Sequence, residues 1–213
     1  MKSCGDSLLV ECPEPFGRRL FDSDLPAPRL HKGDWVVDGC DISTARGFVE
    51  RYHYARGASN TATYLHGLFP AGYHWAAELM GVAWWLPPTK NAAKSLVGDD
   101  WRGVLSLSRL CVSPEAPRNS CSFMLARSVR GIDRSKWHTL VTYADGWRGH
   151  AGTIYLASGW QYDGETSPER TYTLNGRMLA RKAGKRTRTH QEMIDLGCVV
   201  EGRFSKHRFV KRL

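Results

Sequence analysis

Long apolar runs are missing from this chain of 213 residues. No stretch reaches the ~18 consecutive apolar residues that a membrane-crossing helix needs, so none is expected. Near the start, Leu8-Leu9-Val10 is too short for the apolar stretch of a secretory leader. The six cysteines, Cys4, Cys12, Cys40, Cys111, Cys121 and Cys198, include no C-x-x-C pair, which argues against a zinc ribbon. Cys111 falls in a stretch with buried-strand character and Cys121 at a helix start, so reduced thiols and a cytoplasmic location are expected. No internal repeat and no low-complexity segment breaks the chain. Acidic residues are scarce in the last fifth: residues 170–213 hold 3 Asp/Glu against 12 Lys/Arg, whereas residues 1–169 hold 18 of each. The whole net charge of +9 therefore sits in that C-terminal part. A solvated basic tail would carry the same charge, but here the cations interleave with foldable apolar residues, which favours a polyanion partner.

Apolar content and eight tryptophans describe a globular chain. The length suits one domain, 1–213, with a wrapping segment at 1–33 rich in proline and charge and a basic, nucleic-acid-contacting part at 170–213. Helical spacing of Ile42, Ala45, Val49 and Tyr52 predicts a helix over Asp41 to His53. Strands are predicted at Thr63 to Phe69, Glu78 to Trp85, Gly103 to Val112 and Leu140 to Tyr143. Helices are predicted at Asn91 to Leu96, from Asn119 or Ser120 to about Gly131, at His150 to Ser158, and at Thr187 to Leu196. Closing strands are expected at Arg170 to Leu174 and Arg203 to Val210. The pattern is a mixed, mostly antiparallel sheet with helices on both faces, in the α/β (α+β) class.

Two stretches carry chemistry. After the strand ending Ser108-Arg109-Leu110-Cys111-Val112 comes Arg118-Asn119-Ser120-Cys121-Ser122-Phe123, a turn opening a helix. Amides at such a turn suit phosphates; an ordinary capped helix would look the same. Downstream, Ala151 to Trp160 reads A-x-x-x-Y-x-x-x-G-W around Tyr155. A phenol of pKa about 10 stays protonated at neutral pH and can serve as a proton donor. Asp145 closes the strand Leu140 to Ala144, and a carboxylate at a strand's carboxyl end can take a proton from an amine or can simply cap the next turn. His53-Tyr54 follows the first helix.

This strand, anion-turn, helix, strand, Tyr-x-x-x-Gly-aromatic order resembles the core of the GNAT acyltransferase fold, which opens two strands around an activated acyl donor. The usual pyrophosphate loop of that family carries Gln/Arg-x-x-Gly-x-Gly/Ala. Here the Arg is present as Arg118, but Cys121 and Phe123 stand where glycine allows close backbone approach. The resemblance makes Arg109, Arg118, Asn119, Ser120 and Ser122 the donor-binding candidates.

The segments HYARGASNTATYLHGLF, GVAWWLPPT, LSRLCVSPEAPRNSCSFMLARSVR, HTLVTYADGWRGHAGTIY and PERTYTLNGRMLARKAG narrow it further. Together they resemble the Mom family of phage DNA-modification proteins, from about Asp34 to the end. The resemblance implies a cytoplasmic enzyme of an infected host that converts DNA adenine to N6-carbamoylmethyladenine and so blocks restriction. Its functional positions fall on His53, Tyr54, Arg109, Ser122, Asp145 and Tyr155, with Asp145, Tyr155, His53 and Tyr54 as the catalytic candidates. It also brings an iron centre into consideration, for which His53, Tyr54 and Asp145 are the only candidate ligands. The product is reached without redox chemistry from a glycyl group, so glycyl-tRNA is the expected donor and acetyl-CoA the alternative. DNA is the expected substrate. Its backbone would meet Arg177, Arg181, Lys182, Lys185, Arg186 and Arg188, and Tyr52, Tyr54, Trp84 and Trp85 are candidates for stacking an extruded base. Two other readings stay open: an acetyl-CoA-dependent acetyltransferase of a protein or small amine, and a nonenzymatic nucleic-acid-binding module.

Overall fold

The computed structural model describes residues 28–72, 75–184 and 186–213. Seventeen labelled elements follow in chain order. They are β1 (Trp35–Gly39), α1 (Ile42–Tyr52), β2 (Tyr64–Pro70), β3 (Gly81–Leu86), α2 (Lys90–Val97), β4 (Val104–Val112), α3 (Ser120–Arg130), β5 (Thr139–Asp145) and α4 (Thr153–Ala157). Then come β6 (Gln161–Glu165), β7 (Glu169–Leu174), β8 (Arg177–Met178), β9 (Lys182–Ala183), β10 (Arg186–Thr187), α5 (His190–Asp195), β11 (Val199–Phe204) and β12 (Lys206–Arg212). A seven-stranded sheet has the order β1-β2-β3-β4-β5-β12-β6. β4 and β5 run parallel, and the other neighbours in that sheet are antiparallel.

Alternation along the strands assigns each helix its face. Val82 and Trp84 point to Ala45, Phe48 and Val49 of α1. Ala83, Trp85, Leu105 and Leu140 point the other way, to Met124, Leu125 and Val129 of α3. Val104 and Val141 meet Ala93 of α2 on the α1 side. Helices thus cover both faces of a largely antiparallel sheet, as expected. The Asp41 carboxylate starts α1 by accepting the amides of Ser43 and Thr44 at 3.0 and 2.9 Å, an N-cap that satisfies donors with no partner inside the helix.

Trp84 and Trp85 are both fully buried, so neither is free to stack on a base. Strand alternation sends them into opposite cores, where each indole N–H is satisfied: Trp84 by the Thr61 carbonyl at 3.0 Å, Trp85 by the Ser128 hydroxyl at 2.7 Å. Ser128 also meets His66 Nδ1 at 2.7 Å. Burial pulls the His66 pKa down, so the ring that meets this hydroxyl is neutral. One hydroxyl therefore ties α3 to β2 and β3 inside the core. Ser128→Ala should lose about 1–3 kcal/mol by leaving the indole donor without an acceptor. Urea unfolding checks this, and a change below ~0.5 kcal/mol, the range of neutral surface substitutions, would mean the node carries no weight.

Other expectations need correction. The strand predicted from Glu78 begins at Gly81, after a short 3-10 turn at Ala76–Glu78. α4 is shorter than His150 to Ser158, because Gly152 holds a left-handed φ of +70° and starts the helix only at Thr153. A Cβ there would lie 2.2 Å from the Phe209 ring. Residues 170–213 divide among three sheets and α5. β12 is an inner strand of the main sheet, where Arg208 pairs with Asp163 at 2.7 Å and Lys211 donates to the Gly159 carbonyl at 3.0 Å. The three-stranded sheet β11-β7-β8 packs Tyr172 against Met193 of α5 and Cys198. The wrapping segment 1–33 lies outside the described residues up to 27; from there Arg29 forms a parallel bridge with Arg118. Among the described residues, no helix is long and apolar enough to cross a membrane.

Candidate active site

The site grows from a break in the sheet. β4 and β5 pair from Val104↔Thr139 to Leu107↔Thr142. At the next residue β4 carries a bulge: Trp84 pairs with Arg109 and Trp85 with Leu107, leaving Ser108 as the extra residue. Its hydroxyl is tied to the Trp84 carbonyl at 3.2 Å. A bulge bends its strand and increases the local twist, so β4 leaves β5. Arg109 stands on one lip of the opening and Asp145 at the end of the other.

Asp145 is buried, with 6% of its surface exposed. Tyr54 donates its hydroxyl to Oδ2 at 3.1 Å, and the Trp147 amide donates to Oδ1 at 3.1 Å. The carboxylate therefore both caps the turn at Gly146–Arg148 and meets a phenol 91 residues away in sequence. Gly146 allows this close turn, since a Cβ there would lie 2.5 Å from the Ser205 carbonyl oxygen. Burial and the neighbouring carboxylate push the Tyr54 phenol well above its ordinary range, so it holds its proton at any physiological pH.

His53 stacks on Tyr54 with ring centroids 4.4 Å apart. Its Nδ1 accepts the Ala55 amide at 3.1 Å, which puts the proton of the neutral ring on Nε2. Burial, then the positive charge of Arg109 and the nearby His150, hold its pKa down at about 3. His53 is thus a neutral hydrogen-bond donor, not a cationic acid. Arg109 donates through Nε to the Gly57 carbonyl at 2.8 Å and through a terminal nitrogen to the Ser108 carbonyl at 2.6 Å. It clamps the turn carrying His53 and Tyr54 onto the bulge. Tyr155 lies at the vertex, its phenol close to Thr142 on the last β4–β5 rung. Burial raises its pKa too.

His53, Tyr54, Arg109, Asp145 and Tyr155 are therefore gathered around one opening. The other donor candidates lie in the loop before α3 and in its first turn. Arg118 is held by backbone bonds to Pro28 and Leu30 at 2.9 Å each. Asn119 adopts a left-handed φ of +71° and makes no side-chain cap. Ser120 turns inward, and its buried hydroxyl has no partner among the described residues. Ser122 donates to the Asn119 carbonyl at 3.0 Å and lines a hollow of about 360 Å³ with Lys32, Arg127 and Arg130. No carboxylate lines that hollow among the described residues.

Sequence reasoning missed Trp147, Arg148 and His150. The Arg148 guanidinium lies over the Trp147 ring at 4.1 Å and the Tyr54 ring at 5.4 Å, and His150 meets Tyr54 edge-on at 5.6 Å. Their signal was their place directly after Asp145, at a strand's carboxyl end. Tyr52 packs on Phe48 with centroids 4.6 Å apart, so of the stacking candidates only Tyr54 stands at the opening. Among the basic candidates, Arg177, Lys182 and Arg186 lie on β8, β9 and β10. Arg186 pairs with Glu192, and Arg181 donates to the Arg188 carbonyl at 2.8 Å. Lys185 lies outside the described residues.

His53, Tyr54 and Asp145 do not fit an iron ion. Tyr54 spends its proton on Asp145, His53 presents its ring face to Tyr54 and gives Nδ1 to a backbone amide. Among the described residues no three His, Cys, Asp or Glu side chains converge. The thiols of Cys40, Cys111 and Cys121 are free and pushed up to about 12 by burial, which makes them poor nucleophiles. Cys4 and Cys12 lie outside the described residues.

Known proteins agree with this architecture. The family model of the Mom protein family matches residues 34–213. The methylcarbamoylase Mom of Escherichia phage Mu is 32% identical over 141 residues, covering 62% of this chain and 54% of that protein. The chain thus spans about half the length of that relative. Among solved structures, Arabidopsis thaliana NAA60 in complex with acetyl-CoA superposes with a TM-score of 0.54 at 12% identity, over 84% of this chain and 98% of that one. A phosphinothricin N-acetyltransferase gives 0.53 at 8% identity, over 84% and 98%. At such identities the likeness establishes the fold, which is that of the GNAT acetyltransferases.

Proposed function

The chain belongs to the Mom protein family, and from that premise we propose that it is a transferase that modifies adenine in DNA to N6-carbamoylmethyladenine. The observation that carries the reading is the Tyr54–Asp145 pair at the mouth of the β4–β5 opening, with Arg109, His53 and Tyr155 around it. A buried carboxylate at that point can accept a proton from adenine N6 as the amine attacks an acyl carbon. The neutral His53 Nε2–H is suited to hold the developing oxyanion, as fixed donors do in acyl transfer. Tyr155, protonated and at the vertex, is suited to return a proton to the leaving oxygen. Tyr54 orients the carboxylate, and Arg109 holds the turn that carries Tyr54.

A glycyl donor gives the product with only two steps. Acyl transfer forms the bond from N6 to the glycyl carbonyl and breaks the carbonyl–oxygen ester bond, the leaving oxygen taking a proton. The free glycyl amine then attacks ring C6 through a five-membered transition structure. The bond from C6 to the original N6 breaks, and N6 becomes the primary amide nitrogen. No oxidant is required, and proximity makes the second step intramolecular. Cys121 and Phe123 in place of loop glycines disfavour coenzyme A, and the cationic hollow of Lys32, Arg127 and Arg130 suits an RNA backbone. Glycyl-tRNA is therefore the favoured donor and acetyl-CoA the alternative.

DNA from bacteria expressing the protein, digested to nucleosides, should contain a deoxyadenosine heavier by C2H3NO in the mass spectrum. Unmodified deoxyadenosine alone, with the protein soluble and folded, would refute the reading. The basic strands should set affinity. With Arg181, Lys182, Lys185 and Arg186 changed to Ala, the log–log salt slope of duplex binding should fall by ~0.9 for each phosphate no longer neutralised. An unaltered slope would remove these residues from the DNA interface.

A further inference from the structure

A second cavity opens on the acceptor side of the site. It measures about 550 Å³ and lies between the turn Tyr54-Ala55-Arg56 and the β7–β8 hairpin, with Leu174, Asn175, Arg177, Met178 and Leu179 on the hairpin side. That volume falls within the ~300–1,000 Å³ of ordinary ligand clefts. Its lining has three parts. Leu174, Met178 and Leu179 form an apolar bed. Arg56 and Arg177 stand on opposite walls, and no lining residue is acidic among those described. Asn175 sits at the hairpin tip, and its side-chain amide makes no hydrogen bond among the described residues. Two backbone features make the arrangement specific. Arg56 holds a left-handed φ of +43°, uncommon for a side chain of that size, and its amide is pinned to the His53 carbonyl at 2.8 Å. Such strain persists only where the surroundings enforce it and gathers at ligand sites. Asn175 and Gly176, with φ of +52° and +72°, form the two-residue turn that places the hairpin tip at the cleft. Tyr54 is common to this cleft and to the Asp145 pair.

We propose that this cleft seats the extruded acceptor nucleotide, with Arg56 and Arg177 gripping the flanking phosphates and Asn175 reading the adenine edge. The inference rests on the adenine-modifying function proposed above and names where the base sits. An apolar bed beside paired cations suits a base that has left its stack. An asparagine amide matches adenine, because its carbonyl accepts from N6–H while its NH2 donates to the adjacent ring nitrogen. Guanine puts an acceptor where adenine has its amine, so the same amide meets a repulsive contact there. Held by one hydrogen at Asn175, N6 keeps its other hydrogen for Asp145.

The test uses the full chain and two fluorescent duplexes, each with one target base opposite an abasic site, one adenine and one guanine. Wild-type protein should prefer adenine. Asn175→Gly keeps the left-handed turn and removes the amide, so it should lose about 5- to 150-fold of that preference. Asn175→Asp, which also tolerates the turn, should lose it likewise by replacing the donor NH2 with an oxygen. Arg56→Gly removes the guanidinium and accepts the positive φ. It should weaken both duplexes equally and lower the salt slope by ~0.9 for the one phosphate it grips. If wild type binds and modifies adenine while both Asn175 variants keep its preference and Arg56→Gly keeps its affinity, the cleft assignment is wrong and the function stands. If wild type binds neither duplex and leaves DNA unmodified, the function on which the assignment rests is wrong.

Discussion

Asp145→Asn should lower the single-turnover rate of adenine modification by about 10²–10⁴-fold, the range of a positioned general base, with the protein still folded. The two expectations are separable because of what Asp145 touches. Its Oδ1 accepts the Trp147 amide and its Oδ2 the Tyr54 hydroxyl, both at 3.1 Å. An asparagine keeps the first bond through its carbonyl and can meet the Tyr54 oxygen with its NH2. Volume and both contacts survive, and only the ability to take a proton disappears. Tyr54→Phe, which leaves the carboxylate in place and removes its orienting partner, should have a smaller effect. Modification at the wild-type rate by a soluble Asp145→Asn protein would reduce Asp145 to the cap of the turn that follows it.

His53 should make the fold acid-sensitive. In the folded protein its pKa lies at about 3, through burial first and then the charges of Arg109 and His150, against 6.5 for a free side chain. Below pH ~6.5 the unfolded chain gains a proton that the folded one refuses. Stability from this residue is therefore complete above that pH and falls as pH drops towards 3, then levels. At ~1.4 kcal/mol per pH unit the full loss approaches roughly 5 kcal/mol. His66 is shifted in the same direction by burial and stays in both proteins of the comparison. Between pH 7 and pH 5, wild type should lose about 2 kcal/mol more than His53→Gln in urea unfolding. Equal losses would show that His53 titrates freely in the fold, and with that its role as a neutral donor would fall.

Much of this was legible in the sequence because local signals and global fold agree. Asp41 ahead of an apolar period announced α1, and the apolar, β-rich runs in Gly81–Leu86 and Val104–Val112 announced central strands. Asp145 and Tyr155 were found through their places at a strand end and in a spaced motif. Trp84 and Trp85 could not serve as stacking candidates once helices covered both faces: consecutive residues on a central strand enter the two cores, one on each side. β6 escaped notice because Gln161–Glu165, largely exposed and polar, lacks an apolar period, and β1 because its apolar stretch Trp35-Val36-Val37 is only three residues long. The strands within the basic run 177–188 were not foreseen, because each is two residues long, too short to show any period. The contact of Tyr54 with Asp145 was out of reach for another reason. It depends on a bulge at Ser108, which no residue pattern announced.

The proposed acyl transfer of a glycyl group to adenine at the β4–β5 opening fixes where every atom of the modification comes from. The most direct test is to express the protein in cells fed glycine labelled at both carbons and at nitrogen, and to fragment the modified nucleoside from their DNA. All three labels should enter the modification, with the glycine nitrogen bonded to ring C6 and the unlabelled original N6 in the terminal amide. Label arriving from acetate instead, or a labelled nitrogen in the terminal amide, would contradict glycyl transfer.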